Sequence, residues 1–443
     1  MVGERFTLSD PADLVAYAYD ATHYTHAPDV ILLPADTAQV TRILAIANRE
    51  RIPVVPRGSG TSLSGGTTPL HGGIVLHLAR LNRVIAIDPV GLTATAEPGV
   101  ILADFQRQVE LLGLFYPPDP SSLGVATLGG TVAHGSGGPR GVKYGTTKDY
   151  VIGLEAVLAD GRVLHTGAGD DLDLTHLLVT SEGTLAVITK ITVRLLPLPE
   201  AKQTALAIFD SLESAAETVA AIIAAKIVPT TLELMDNYTI RKVEGFRPVG
   251  LPVDAEGVLL LEVDGYPAEV ARQVEEVAAI AARNGAREVK VARTGQENEQ
   301  LWAGRRAAYA ALAMARPTAI VEDATVPRHR IPEIVRTIKE LAVKYALEVT
   351  VLAHAGDGNT HPIILCDWRD KNEMERARRF ADELFRVALA MGGTLSGEHG
   401  IGIVKREYME WQHGPAGIAA MRKVKQVFDP NNILNPGKVL PQC

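Results

Sequence analysis

The sequence predicts an α+β fold divided into two or three domains. Three observations lead there. The chain has 443 residues, and about 150 residues per domain is the usual size. Its 40 glycines are crowded, six in residues 58–73 and eight in residues 124–145, and both stretches are flanked by apolar runs. From about 203 to 425, amphipathic helical patterns alternate with short apolar runs. Composition narrows the class further: 47% hydrophobic and 22% charged residues describe a globular chain. A net charge of -8 without a basic block excludes the electrostatic footprint of a nucleic-acid binder. No run of about 18 apolar residues is present, so no membrane-spanning helix is expected. The opening MVGERFTLSD lacks the apolar stretch of a secretory signal, and a cytoplasmic location is the expectation. Two cysteines, Cys366 and Cys443, provide neither a disulfide framework nor the four thiolates an iron–sulfur cluster usually needs. Cys366 reads as a small buried apolar residue.

In chain order, Asp36 or Thr37 can cap a helix with Val40, Ile43, Leu44 and Ala47 on one face. A short strand, Ile52-Pro53-Val54-Val55, then enters Pro56-Arg57-Gly58-Ser59-Gly60-Thr61-Ser62-Leu63-Ser64-Gly65-Gly66. A strand running into glycines, hydroxyls and one arginine suits a phosphate, because backbone N–H groups can point inward at an anion; a flexible linker is the alternative. Two familiar cradles do not fit. A P-loop needs Lys and Ser/Thr after its last glycine, whereas Gly65 is followed by Gly66 and Thr67. A dinucleotide fingerprint from Gly58 needs glycine where Leu63 stands. The second cluster runs from Pro117-Pro118-Asp119-Pro120 through Thr127-Leu128-Gly129-Gly130-Thr131-Val132-Ala133 to Gly137-Gly138 and Tyr144-Gly145. Strand-like residues Val151 to Leu158, a turn at Asp160-Gly161 and a strand at Arg162-Val163-Leu164 follow. Residues 181–189 repeat the habit of small residues leading into a strand.

The middle reads as helix 211–226, strand 257–264, helix 267–284, strand 286–292 and helix 296–315. This βαβ-like rhythm suits a small sheet covered by helices. Next comes the most specific constellation. His354-Ala355-Gly356-Asp357-Gly358-Asn359-Thr360-His361 lies between strands at 350–353 and 363–365, and its glycines forbid a helix and favour a hairpin-like turn. Such a turn can bring both imidazoles to one point. An amphipathic helix carrying Met374, Phe380, Leu384 and Phe385 then stops at Gly392-Gly393 and delivers Gly397-Glu398-His399-Gly400. Two histidines and a carboxylate make a divalent-metal set. Two histidines seven apart can also be unrelated.

At these residues the chain resembles the vanillyl-alcohol oxidase family. The Arg57-Gly58-Ser59-Gly60-Thr61 loop, the Gly/Pro-rich stretch 117–145 and segment 181–189 resemble its FAD-binding domain over roughly residues 28–200. The tail Phe428-Asp429-Pro430-Asn431-Asn432-Ile433-Leu434-Asn435-Pro436-Gly437-Lys438 resembles a segment that returns to the flavin. That tail points to the branch of FAD-linked 2-hydroxy acid dehydrogenases containing the glycolate oxidase flavin subunit and D-lactate dehydrogenase. The resemblance implies FAD contacts from Arg57, Gly58, Ser59, Gly60, Thr61 and Ser62, and from Pro118, Asp119, Thr127, Gly129, Gly130, Ala133 and Gly137. It also implies contacts from Gly183, Val187 and Ile188, and from Asn435. Some members tether FAD through a histidine in the first loop; residues 57–66 contain none, and His71 and His77 fall in a turn and a strand, so the FAD is expected to be noncovalent. The implied organisation is a helical arm at 1–27, an FAD-binding domain at 28–202, a cap domain at 203–425 and a returning segment at 426–443.

The pattern His-x-Gly-Asp-Gly-Asn-x-His followed by Gly-Glu-His-Gly is characteristic of the metal-containing members. It implies metal ligands His354, His361 and Glu398, with His399 as catalytic base; Zn, Mn and Fe suit such ligands comparably. The chemistry is consistent, since a metal lowers a hydroxyl pKa and a histidine titrates near neutrality. Leu301-Trp302-Ala303-Gly304-Arg305-Arg306 resembles the segment whose arginine holds the substrate carboxylate. Arg305 is favoured over Arg306, against a solvated basic pair. Residues 321–328 resemble the same branch, and Lys405 is either a further candidate or a solvent-facing lysine. Related D-2-hydroxyglutarate dehydrogenases carry a lysine at the position of Val321 and an asparagine at that of Ile363. Their absence implies a monoacid, D-lactate or glycolate, oxidised to pyruvate or glyoxylate. Electrons are then expected to pass to a separate acceptor: an iron–sulfur subunit, an electron-transfer flavoprotein, a cytochrome or a quinone. The rival readings are a same-fold oxidase of another alcohol and a noncatalytic flavin-binding subunit of a larger redox complex.

Overall fold

A computed structural model describes residues 1–167, 169 and 172–441; Cys443 lies outside the described residues. The chain forms two compact units. The first contains Met1–Gly137, Thr146–Leu198 and the chain from Glu398 onward; the second contains Gly138–Gly145 and Pro199–Gly397. The second unit therefore ends at Gly397 rather than at 425, and the helix Met409–Phe428, kinked at Gly414, belongs to the first. A periodic apolar face announces a helix but not the core that it joins.

In the first unit, β1 (Thr7–Leu8), α1 (Pro11–Ala16), β2 (Val30–Leu32), α2 (Thr37–Glu50), β3 (Val54–Arg57) and β4 (Ile74–His77) open the chain. The N-terminal segment is more than a helical arm, because β1 pairs with the sheet edge at β2. Asp36 is the cap of α2, its carboxylate accepting from the Gln39 N–H at 2.7 Å. Strand β4 runs parallel to both β2 and β3. A second, antiparallel sheet orders β5 (Val84–Asp88), β6 (Thr93–Ala96), β7 (Val151–Val157), β8 (Val163–Thr166) and β9 (Val187–Arg194) as 5-6-9-7-8. Leu44 and Ala47 of α2 pack with Val54, Leu76, Val157, Val187 and Leu434 into one core. Burial of such side chains is the main driving force for this unit, about 1.5–3 kcal/mol each.

The tail is fixed by a buried lysine. Lys438 donates to the Thr68 carbonyl at 2.6 Å and to Asn435 Oδ1 at 3.0 Å. Burial, opposed by the charges of Asp20 and Glu182, holds its pKa down to about 8 from 10.5. Between those values the unfolded chain keeps the proton that the folded chain has released, so unfolding free energy rises with pH across this window. We expect a steeper rise from pH 8 to 10 in the wild type than in Lys438→Met, by on the order of 1–3 kcal/mol. Equal slopes in denaturant titrations would contradict this.

The second unit is built on β10 (Ala201–Phe209), α3 (Leu212–Ala224), β11 (Thr231–Asp236), α4 (Asn237–Phe246), β12 (Gly257–Gly265), α5 (Pro267–Arg283), β13 (Ala286–Val291) and α6 (Gly295–Ala313). It continues with β14 (Thr318–Val321), β15 (Ala324–Thr325), α7 (Ile331–Lys344), β16 (Glu348–His354), β17 (Asn359–Cys366) and α8 (Lys371–Ala390). The expected small βαβ-like sheet is larger and differently paired. Its strand order is 13-10-12-11-16-17-14, with β15 also on β17, and every pairing is antiparallel. Strand–helix–strand alternation does not specify direction, because β12 inserts between β10 and β11 and β17 between β14 and β16. Leu206, Leu260, Leu352 and Ile363 pack with Ala308 and Leu312 of α6 on one face. Cys366 is buried, as its sequence context suggests, and burial pushes its thiol up to about 11.

Candidate active site

The first unit presents a cradle of unpaired amides. Strand β3 ends at buried Arg57, whose guanidinium donates to Thr67 Oγ1 at 3.2 Å. Among the described residues, the N–H groups of Ser59, Gly60, Thr61, Ser62 and Leu63 donate to no protein acceptor. Two positions in this loop require glycine. A Cβ on Gly58 would lie 2.3 Å from Thr127 Oγ1, and one on Gly60, at φ +73°, would lie 2.1 Å from the Arg57 guanidinium. A loop of unpaired amides beside a buried cation is what a pyrophosphate needs.

The second glycine stretch works differently. Residues Leu128–His134 form a helix that the glycine density had concealed, capped by Thr127 Oγ1 on the Gly130 N–H at 3.2 Å. The Gly129 N–H is taken by the Pro98 carbonyl at 2.7 Å, and a Cβ there would meet Pro98 Cβ at 2.4 Å. Gly129 and Gly130 thus serve close packing and capping in this unit. Pro118 is buried, its carbonyl accepting from Gln106 Nε2 at 2.7 Å. Ala133 bonds through its carbonyl to the Glu182 N–H at 2.9 Å, and Gly183 adopts φ +69° ahead of Val187 and Ile188 on β9.

Asn435 ties these pieces together. Its Nδ2 donates to the carbonyls of Gly66 and Glu182, both at 2.8 Å. Sequence reasoning missed Glu182. Its carboxylate accepts from the N–H groups of Ile401 at 2.6 Å and Gly402 at 2.9 Å, fixing the loop that carries His399. In that loop His399 Nε2 lies 3.9 Å from Glu398 Oε1. A Cβ on Gly137 would fall 2.9 Å from Glu398 Oε2. Lys405 is buried rather than solvent-facing.

The second unit brings the two hairpin histidines together. His361 pairs with Leu352 and His354 with Asn359, so both imidazoles project from one face of the β16–β17 ladder. Their ring centroids are 5.0 Å apart, edge to face. His354 Nδ1 faces Glu233 Oε1 at 2.7 Å, and His361 Nδ1 faces the Glu322 carbonyl at 3.2 Å. Both partners only accept, so each Nδ1 is the donor and each ring lone pair resides on Nε2. That tautomer suits a metal ligand. The turn depends on Gly358, at φ +90°, where a Cβ would stand 2.0 Å from the Val326 carbonyl oxygen. Gly358→Ala is expected to cost about 1–3 kcal/mol and to lower the thermal midpoint; an unchanged midpoint would contradict this geometry.

Glu233 lies on β11 beside the hairpin, and the sequence reading passed over it. Its second oxygen accepts from Arg305 Nε at 2.7 Å. Burial raises its pKa, but His354 and Arg305 outweigh that and hold the group below the ordinary carboxylate value. Arg305 is itself buried, whereas Arg306 is exposed and paired with Glu299. Val321 and Ile363 are register partners, and Ile363 shares the face of His361. Asp323 accepts from the Gly397 N–H at 3.1 Å, anchoring the last residue before Glu398.

Comparison with known proteins gives the class, a flavin-dependent oxidoreductase. Residues 28–167 match the family described as FAD binding domain, and residues 198–439 match FAD linked oxidases, C-terminal domain. The chain belongs to the FAD-linked oxidase family and is an FAD-linked oxidoreductase. It is 48% identical to the glycolate oxidase subunit GlcD of Bacillus subtilis (strain 168), covering 98% of this chain and 94% of that protein. It is 39% identical to the D-lactate dehydrogenase of Archaeoglobus fulgidus, covering 97% and 96% respectively. The fold is that of p-cresol methylhydroxylase, with a TM-score of 0.80 at 18% identity, covering 99% of this chain and 94% of that one. Among the described residues, no helix is long and apolar enough to cross a membrane.

Proposed function

We propose that the chain oxidises a small 2-hydroxy monocarboxylic acid, D-lactate or glycolate, to its 2-oxo acid and passes the electrons to a separate acceptor. The observation that carries this reading is the His354–His361 pair on one sheet face, both rings fixed as Nδ1 donors. His354 and His361, with Glu398, would hold a divalent metal in this reading. When bound, the metal would acidify the substrate's 2-hydroxyl and noncovalent FAD would accept the C2 hydrogen as hydride. His399 takes the hydroxyl proton, and Arg305 binds the substrate carboxylate with the part of its guanidinium that Glu233 leaves to it. The amides of residues 59–63 and the Arg57 side chain would hold the FAD pyrophosphate. The apolar Val321–Ile363 pair supports a monoacid, since neither residue could hold a second carboxylate. The relatives named for glycolate oxidation and D-lactate dehydrogenation share this substrate class.

The test is the visible spectrum of the purified protein during anaerobic addition of D-lactate, L-lactate and glycolate in parallel. Flavin bands bleached by D-lactate or glycolate are the expected result. Bound flavin that none of the three reduces would overturn the substrate assignment.

A further inference from the structure

Glu233 carries a charge into the core of the second unit. It is fully buried at the centre of Thr231–Asp236, a strand otherwise closed to solvent. A buried carboxylate persists only with partners, and it has two: Oε1 on His354 Nδ1 and Oε2 on Arg305 Nε, each at 2.7 Å. The strand register puts Glu233 directly opposite His354, while Arg305 arrives from α6. One carboxylate therefore sets the orientation of two side chains with different tasks.

Resting on the function proposed above, we infer that Glu233 is the positioning residue that fixes His354 as an Nε2 metal ligand and, through the same carboxylate, aims Arg305 at the substrate. The physical basis is the acceptor count. A carboxylate accepts from both neighbours at once. A glutamine in its place accepts from one and presents N–H to the other, so either His354 switches to the Nε2–H tautomer or Arg305 loses its anchor. An Nε2–H imidazole cannot ligate through Nε2 without losing that proton, and partners of this kind typically change metal affinity about 10- to 100-fold.

The experiment is titration of metal-stripped, FAD-loaded protein with Co²⁺ or Zn²⁺ by calorimetry, comparing wild type, Glu233→Gln and His354→Ala, with flavin content and thermal unfolding as controls. The expected result is metal binding by wild type, its loss in His354→Ala, and a 10- to 100-fold weaker affinity in Glu233→Gln at unchanged flavin content. The expected substrate effect in the metal-saturated Glu233→Gln enzyme is a raised KM. Wild-type metal affinity together with a wild-type KM in Glu233→Gln, with His354→Ala defective, overturns the role of Glu233 and leaves the metal reading intact. No metal binding by wild type overturns both. If Glu233→Gln does not fold, ¹⁵N-histidine NMR of the wild-type holoenzyme, assigned against His354→Asn, decides. A protonated Nδ1 on His354 supports the inference, and a protonated Nε2 refutes it.

Discussion

His399→Ala is expected to bind FAD as the wild type does and to lose flavin reduction by D-lactate or glycolate, the rate falling about 10²- to 10⁴-fold. The expectation separates two jobs of one loop. The backbone around His399 is held by groups other than its imidazole: Glu182 accepts from Ile401 and Gly402, and Gly400 at φ +84° is packed so closely that a Cβ would lie 2.8 Å from Glu182 Oε1. Removing the ring therefore leaves the loop in place and withdraws only the proton acceptor. Anaerobic stopped-flow reduction of the bound flavin reads this directly, and a wild-type rate in the variant would falsify the assignment of His399 as base. The Glu182→Ala variant makes the complementary point: it keeps the imidazole but frees the loop, so an intermediate loss is expected in the same assay.

The parts of this site that were legible in the sequence are those with local causes. Gly356 and Gly358 forbid a helix through residues 354–361, which leaves a turn, and the period-2 geometry of the two strands then puts both histidines on one face. The strand entering a glycine loop at Arg57 is legible for the same reason. Glu233 was not, because its partner His354 is 121 positions away. The available signal was a lone acid inside Leu232-Glu233-Leu234-Met235, since a buried charge in an apolar strand demands a counter-group somewhere. Gly129 shows a tertiary contact that its local sequence does not disclose. A Cβ there would meet Pro98, a residue thirty-one positions earlier, so the packing that requires glycine is invisible in the cluster itself. Sheet order in the second unit was hidden as well, because insertion of β12 and β17 between earlier strands is a tertiary choice that alternation of helices and strands does not encode.

Removing the metal is expected to abolish flavin reduction as severely as losing His399, and reversibly. Without the cation the substrate hydroxyl keeps a pKa far above neutrality, so a histidine cannot draw off its proton, and a Lewis acid commonly supplies several kcal/mol to such a step. We therefore expect a strong chelator to lower the reduction rate at least about a hundredfold while the flavin bands persist, and Zn²⁺, Mn²⁺ or Fe²⁺ to restore it. His361→Ala provides the matching irreversible case. His361 Nδ1 faces the Glu322 backbone carbonyl at 3.2 Å, an acceptor that belongs to the main chain, and the sheet is expected to survive truncation. The variant should unfold near the wild-type temperature, retain FAD, and fail to recover activity with any added metal. Metal analysis of the same samples completes the argument: a wild-type enzyme that turns over at full rate without metal, or a His361→Ala enzyme that is rescued by it, removes the histidine pair from the chemistry and leaves it a structural feature of the β16–β17 hairpin.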